Sequence, residues 1–346
     1  MSNVNKIYAI EKFVKDIEAS SEFYRGTLGY RKIAVSDCFH DDGSSYLLEL
    51  GDSLLILTEG KSKDSTISQH IEKYGEGIQN IILDVSNVNE CFQNSVKEGM
   101  EPVQAPSMQS GAGSEVEIAT VKTFNYVNHT FVHFLKGELL PGFAPVEDDL
   151  HLLQENILGM DHLAICHEAE TIEKFVDFYT KALGFIDNRR EDIHSDISGM
   201  KTVVVESPNG NIKFPMVEPC SERSPLMEFL NHNKGSGIHH IAYKTSNILE
   251  TVDEACNKGL EFRETPASYY EHIKKQGIQN AELIDELAIR SILIDEEQQG
   301  YLMQIFTLPI VNRPTLFLEF IQRNNTQGFG SGNIKALYDS LERDAS

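Results

Sequence analysis

Gly75 to Pro106 reads GEGIQNIILDVSNVNECFQNSVKEGMEPVQAP, and Gly235 to Pro266 reads GSGIHHIAYKTSNILETVDEACNKGLEFRETP; the two align without a gap. Such self-similarity at long range marks a duplicated unit. Each copy spells a short apolar strand, a helix with apolar residues at three-to-four spacing, a glycine, and then a further strand. The likeness extends both ways. Upstream, EFYRGTLGY (Glu22 to Tyr30) matches DFYTKALGF (Asp177 to Phe185), each closing a helix at its glycine and entering a strand; downstream, TFVHF (Thr130 to Phe134) matches LFLEF (Leu316 to Phe320). The expected fold class is therefore α+β, as two tandem related modules. PGFAP (Pro141 to Pro145), followed by an acidic EDD, is the linker candidate, with a boundary near residue 150 between modules of residues 1–150 and 151–346. From Asn333 onward, Ile334, Leu337, Tyr338 and Leu341 recur at helical spacing, which predicts a closing C-terminal helix.

The 346 residues suffice for two domains with full cores. With 53 acidic and 30 basic side chains the formal charge is −23, a surface that disfavours nucleic acid and anionic membranes as partners. The opening MSNVNKIYAIEKF has no signal-peptide pattern, and no apolar run reaches membrane-spanning length. Cys38, Cys91, Cys166, Cys220 and Cys256 stand singly, which suits reduced thiols and a cytoplasmic setting.

Three strand-like segments of the second half each carry one hard-metal ligand type: His162 in MDHLAI, His240 in GIHHIAY and Glu319 in TLFLEFIQ. Two imidazoles and a carboxylate with open positions form the facial set of non-haem Fe(II) oxygenases. Alternation along a strand prevents His239 and His240 from both pointing inward. A carboxylate amid the apolar neighbours of Glu319 is costly to bury unless it is paired or metal-bound. At the places taken as equivalent, the first half has Ile7, Asn80 and His133, so the full set belongs to one module and the other reads as structural. Strand position alone still leaves each histidine open to the ordinary reading of a core or surface residue. Other motifs fall away. His167-Glu168 begins like HExxH, but Thr171 stands where the second histidine is required. His194, His232 and His272 read as surface residues, and GFGSG (Gly328 to Gly332) as a turn before the last helix.

At this point the chain resembles the 4-hydroxyphenylpyruvate dioxygenase and 4-hydroxymandelate synthase family of the vicinal-oxygen-chelate superfamily. MDHLAI, GSGIHHIAYKT, TPASYY, GYLMQIFT, NRPTLFLEFIQR and GFGSGNI carry the resemblance, in order, over nearly the whole length. It implies paired βαβββ units, each pair an open mixed β-barrel with outer helices. It also implies Fe(II) held by His162, His240 and Glu319, with dioxygen as co-substrate. Gln304, Phe306, Phe317 and Phe329 match pocket positions of the family. Ile334 stands where homogentisate-forming dioxygenases have Phe and hydroxymandelate synthases have Ile. Val217 replaces a dioxygenase Asn, whereas Pro215 and the NRPTLFLE run look dioxygenase-like. Thr202 replaces Ser, Pro225 replaces Gln, and His239 replaces the Gln that usually precedes the ligand histidine.

The implied substrate is a small aromatic 2-oxo acid. Its own oxo-acid group drives oxygen activation, so no separate 2-oxoglutarate is needed. Benzylic hydroxylation of 4-hydroxyphenylpyruvate to 4-hydroxymandelate is the expected reaction. Ring hydroxylation to homogentisate is the close alternative, and another 2-oxo acid a third. A non-catalytic ligand-binding protein of the same fold would lack at least one ligand from both halves, which the second half does not. The resemblance further suggests a homodimer or homotetramer.

Overall fold

The structure is a computed structural model that describes residues 3–147, 156–194, 199–276, 281–297, 300–330 and 332–335. In the first module, β1 (Val4–Phe13), α1 (Ile17–Leu28), β2 (Arg31–Ser36), β3 (Gly43–Leu50), β4 (Ser53–Gly60) and α2 (Thr66–Tyr74) form one unit. Then β5 (Gly77–Val85), α3 (Val88–Lys97), β6 (Glu101–Gly111), β7 (Ser114–Phe124) and β8 (Val127–Lys136) form the next, and β9 (Ala144–Pro145) follows. The second module repeats the plan. Its first unit comprises β10 (Ile157–Cys166), α4 (Ile172–Asp177), β11 (Ile186–His194), β12 (Gly199–Glu206), β13 (Lys213–Pro219) and α5 (Leu226–Asn233). Its second comprises β14 (Gly237–Thr245), α6 (Ile248–Asn257), α7 (Ala267–Gln276), α8 (Ala281–Ile289), β15 (Leu293–Glu297), β16 (Gly300–Phe306) and β17 (Phe317–Asn324). These are the paired βαβββ units expected from the sequence.

Each module is one mixed sheet, curved into an open barrel. The orders are β6-β7-β8-β5-β1-β4-β3-β2-β9 and β11-β12-β13-β10-β14-β17-β16-β15. The repeat folds alike for local reasons. Asn87 and Asn247, the shared SN, cap α3 and α6 by accepting from the backbone N–H of Glu90 and Glu250. Gly99 and Gly259 follow those helices at φ 87° and 86°, a left-handed conformation that other residues adopt at a cost.

Two sequence expectations are corrected. EFRETP in the second copy forms no strand: it makes a single bridge, Phe262 to Thr307, and then Pro266 leads into α7. PGFAP is not a free linker, because Phe143 is fully buried against Phe39 and Ala144–Pro145 pairs with β2. Of the expected C-terminal helix, residues 332–335 are helical, while Leu337, Tyr338 and Leu341 lie outside the described residues.

The modules share one apolar core. Tyr30 and Tyr243 meet hydroxyl to hydroxyl at 3.0 Å across it. His129 Nε2 lies 2.9 Å from the Tyr179 hydroxyl. His167, the histidine of the broken HExxH, is fully buried between Phe124 and Phe175, stacked on the latter at 4.3 Å. Neither of its ring nitrogens has a hydrogen-bond partner among the described residues. Burial pushes the pKa of His129 and of His167 down to about 3. The unfolded chain therefore binds protons that the folded one refuses between about pH 6.5 and 3. Stability is fully present above pH 6.5 and falls as pH drops through that window, by on the order of 4 kcal/mol per histidine over its full width. His167→Phe keeps the stack and removes two unpaired nitrogens. It is expected to raise stability by about 1–3 kcal/mol at neutral pH, and by more at pH 5. Urea titrations at both pH values check this; an equal gain at each would contradict it.

Candidate metal centre and its chamber

His162, His240 and Glu319 come from three adjacent strands, β10, β14 and β17. Strand pairing sets His162 opposite Ala242 and Ala242 beside Glu319, so the three side chains converge on one concave face. One ligand atom from each lies within 4.8 Å of the others. Glu319 Oε2 is 3.4 Å from His162 Nε2 and 3.1 Å from His240 Nε2. His162 and Glu319 are buried, and His240 is partly open to the chamber.

These residues fit a divalent ion. A buried carboxylate faces two imidazole nitrogens, and the set supplies two neutral donors and one charge with one face open. Burial works against charge on His162, but the Glu319 and Asp161 carboxylates beside it raise its pKa above the ordinary value. Burial lowers that of His240. Burial would raise Glu319, yet the two imidazoles hold it down at about 2. The carboxylate is thus ionised and ready to bind a cation.

A second layer holds the first. The chain bulges between Met160 and His162, which brings Asp161 beside the ligand it precedes. Asp161 Oδ1 lies 2.8 Å from His162 Nδ1, so that nitrogen donates and Nε2 faces the metal position. Arg323 clamps the same carboxylate, Nε to Oδ2 at 3.0 Å and Nη2 to Oδ1 at 2.8 Å. Arg323 also donates to the Gly328 carbonyl and lies 5.1 Å over the Phe329 ring. One guanidinium therefore couples a ligand histidine to the segment whose Phe329 lines the chamber. That segment is fixed again where Asn333 Nδ2 donates to Gln304 Oε1 at 3.1 Å and the Tyr269 hydroxyl donates to Asn333 Oδ1 at 2.8 Å.

The chamber in front of the ligands offers about 570 Å³ of free space, the open solvent at its mouth included. Thr202, Pro215, Val217, Gln304, Phe306, Phe329 and Ile334 from the sequence reading line it with the three ligands. His239 and Phe317 do not. His239 sits at the bulge before His240, its Nδ1 3.2 Å from that of His240, with its ring against Phe229 and Phe317. Phe317 stacks on the His240 ring at 4.9 Å and braces it from behind. Pro225, the N-cap of α5, is likewise absent from the lining. Sequence reasoning missed Asp161 and Arg323, along with the chamber residues Ala164, Arg189, Glu191, Ile193 and Val204.

Among the described residues, the first module holds no such set. Its register makes Ala9, not Ile7, the counterpart of His162, since β1 sets Ala9 opposite Ile82 as β10 sets His162 opposite Ala242. Thr130, not His133, stands for Glu319, because Ile82 pairs with Thr130 as Ala242 pairs with Glu319. Asn80 remains the counterpart of His240 and accepts a bond from Thr130 at 3.1 Å.

Models of the glyoxalase/bleomycin resistance protein/dioxygenase superfamily match residues 6–115 and 161–277, one in each module. A 4-hydroxyphenylpyruvate dioxygenase of Yarrowia lipolytica is 31% identical over 96% of this chain and 90% of that protein. The chain belongs to the 4-hydroxyphenylpyruvate dioxygenase family. Its membership makes it an enzyme of the dioxygenase type. A Danio rerio 4-hydroxyphenylpyruvate dioxygenase is also 31% identical, over 97% of this chain and 89% of that one. A mutant of 4-hydroxymandelate synthase from Streptomyces coelicolor superposes over the full length of both chains with a TM-score of 0.88 at 31% identity. Among the described residues, no helix is long and apolar enough to cross a membrane.

Proposed function

We propose that this dioxygenase-family chain uses Fe(II), held by His162, His240 and Glu319, to decarboxylate 4-hydroxyphenylpyruvate oxidatively and hydroxylate its benzylic carbon, giving 4-hydroxymandelate. The observation that carries the reading is a buried two-histidine, one-carboxylate face opening into a chamber whose wall near the ligands is largely apolar. Bound there, Fe(II) supplies chelation of the oxo acid and activation of dioxygen. The oxo acid is part of the substrate, so no separate 2-oxoglutarate is used. The protein orients the aryl end. Phe306 and Phe329 present apolar ring surface to it, and Gln304, buried and fixed by Asn333, supplies a polar group beside the ligands. Phe329 and Ile334 in the chamber wall limit the access of water to the reacting atoms.

Ile334 supports the benzylic outcome. It stands in the chamber wall and packs in the same apolar cluster as Val217. An isoleucine there leaves more room for the ring than a phenylalanine would. A shift of about 1 Å in the ring decides whether the benzylic or a ring carbon faces the oxidant. The second reading, ring hydroxylation to homogentisate, draws its support from the names of the curated relatives. Incubating the purified protein with Fe(II), dioxygen and 4-hydroxyphenylpyruvate and identifying the product separates the two; homogentisate as sole product would overturn the benzylic reading. If 4-hydroxymandelate forms, Ile334→Phe is expected to move product toward ring oxidation by about tenfold in ratio, about 1.4 kcal/mol between the two barriers. An unchanged ratio would remove Ile334 as selector. A cytoplasmic homodimer or homotetramer, with the second module catalytic and the first structural, completes the proposal.

A further inference from the structure

The chamber is charged at two ends. One end is the ligand set; the other is β11, the edge strand of the second sheet. Along β11, Arg189, Glu191 and Ile193 alternate inward and line the chamber, while Arg190 and Asp192 between them are exposed. Pairing sets Glu191 opposite Thr202 and Thr202 opposite Val217, a row crossing the wall toward β10. Three strand spacings separate β11 from β10, about 14 Å along the curved sheet. The chord across the concave face is shorter, and side chains from both ends reach into it. An arylpyruvate held at the ligands by its oxo acid thus points the far end of its ring along this row.

Arg189 Nε donates to Glu191 Oε1, and Glu191 Oε2 accepts no bond among the described residues. Glu191 shares the chamber lining with Ile193, Val217 and Ile334, so a donor group arriving among these apolar side chains has a carboxylate to meet it. We propose that Glu191, oriented by Arg189, is the specificity residue at the far end of the chamber, and that it selects oxo acids whose ring ends in a hydrogen-bond donor, a phenolic hydroxyl. This rests on the arylpyruvate reading of the chamber. A hydroxyl donating to a carboxylate makes a charge-assisted bond. Glu191 is partly exposed; a substrate lacking that hydroxyl displaces water from its carboxylate without replacing the hydrogen bond, and sites built to hydrogen-bond a substrate hydroxyl discriminate against such analogues. The ligand set does not contain this selection, since Arg189 and Glu191 lie on β11, three strands from the nearest ligand strand.

Oxygen uptake with 4-hydroxyphenylpyruvate and with phenylpyruvate tests it on the Fe(II)-loaded protein, its Glu191→Leu variant and its Glu191→Gln variant. The wild type is expected to favour the hydroxylated acid by at least about tenfold in kcat/KM. Glu191→Leu should bring the ratio close to unity, mainly through KM for the hydroxylated acid, and Glu191→Gln should fall between because its amide oxygen still accepts. A wild type without preference, or a ratio unchanged in Glu191→Leu, would overturn the assignment of Glu191 while leaving the arylpyruvate reading standing. No uptake with either acid would overturn that reading and this inference with it.

Discussion

Glu319→Ala is expected to abolish Fe(II) binding and oxygen uptake together, with turnover falling by about a thousandfold or more, at least 4 kcal/mol in the barrier. Glu319 is the one anionic member of the ligand set and is almost completely buried on β17. Without it, two imidazoles face a dication with no charge to offset the ion's lost hydration. Glu319→Gln separates charge from shape, because it keeps the volume and a carbonyl oxygen. The amide is expected to bind Fe(II) far more weakly than the carboxylate while the fold, followed by circular dichroism, persists. The apolar neighbours Leu318 and Phe320 point away from the ligand face and should hold β17 in register. Isothermal titration of Fe(II) under anaerobic conditions, paired with oxygen uptake, measures both effects. An alanine variant that kept wild-type affinity would remove Glu319 from the centre.

The second large effect is expected at a residue that touches no metal. Asp161→Ala should weaken Fe(II) binding by about 10- to 100-fold, the usual consequence of removing a ligand's hydrogen-bonded support. It should also destabilise the fold by about 3–5 kcal/mol, because Arg323 loses the carboxylate that it clamps at a largely buried site. Two functions are lost at once. His162 loses the acceptor that keeps Nδ1 protonated and Nε2 aimed at the metal. Arg323 also loses the anchor from which it holds Gly328 and covers Phe329. Asp161→Asn still accepts from His162 but meets Arg323 without charge, so it should retain more metal affinity than the alanine while sharing part of the instability. Fe(II) titration and thermal melts of both variants check the pattern. Equal metal affinity in Asp161→Ala and the wild type would show that His162 needs no such orientation.

Much of this architecture was legible in the sequence because local rules repeat. The SN caps, the glycines after the helices and the alternation of apolar residues write the βαβββ plan twice. The ligands were legible because each sits in a strand of otherwise apolar character. Register was not. The stretches between matching strands differ in length between the halves, so matched short strings pair Ile7 with His162 and His133 with Glu319 where the sheets place Ala9 and Thr130. Asp161 and Arg323 meet across 162 residues and through a bulge, and no periodicity encodes that. Arg189 and Glu191 were hidden for a different reason. Whether an edge strand's charges face solvent or a chamber depends on the curvature of the whole sheet.

The central claim, that His162, His240 and Glu319 hold an iron that couples loss of CO2 to oxygen insertion in an arylpyruvate, is tested most directly by one stoichiometric assay. Purified protein is loaded with Fe(II) and supplied with dioxygen and 4-hydroxyphenylpyruvate labelled at its carboxyl carbon. Oxygen uptake and labelled CO2 are then measured together, beside a Glu319→Ala control. The account predicts equal amounts of oxygen consumed and CO2 released, dependent on Fe(II) and absent from the control. Oxygen uptake without CO2, or equal activity in the Glu319→Ala protein, would contradict it.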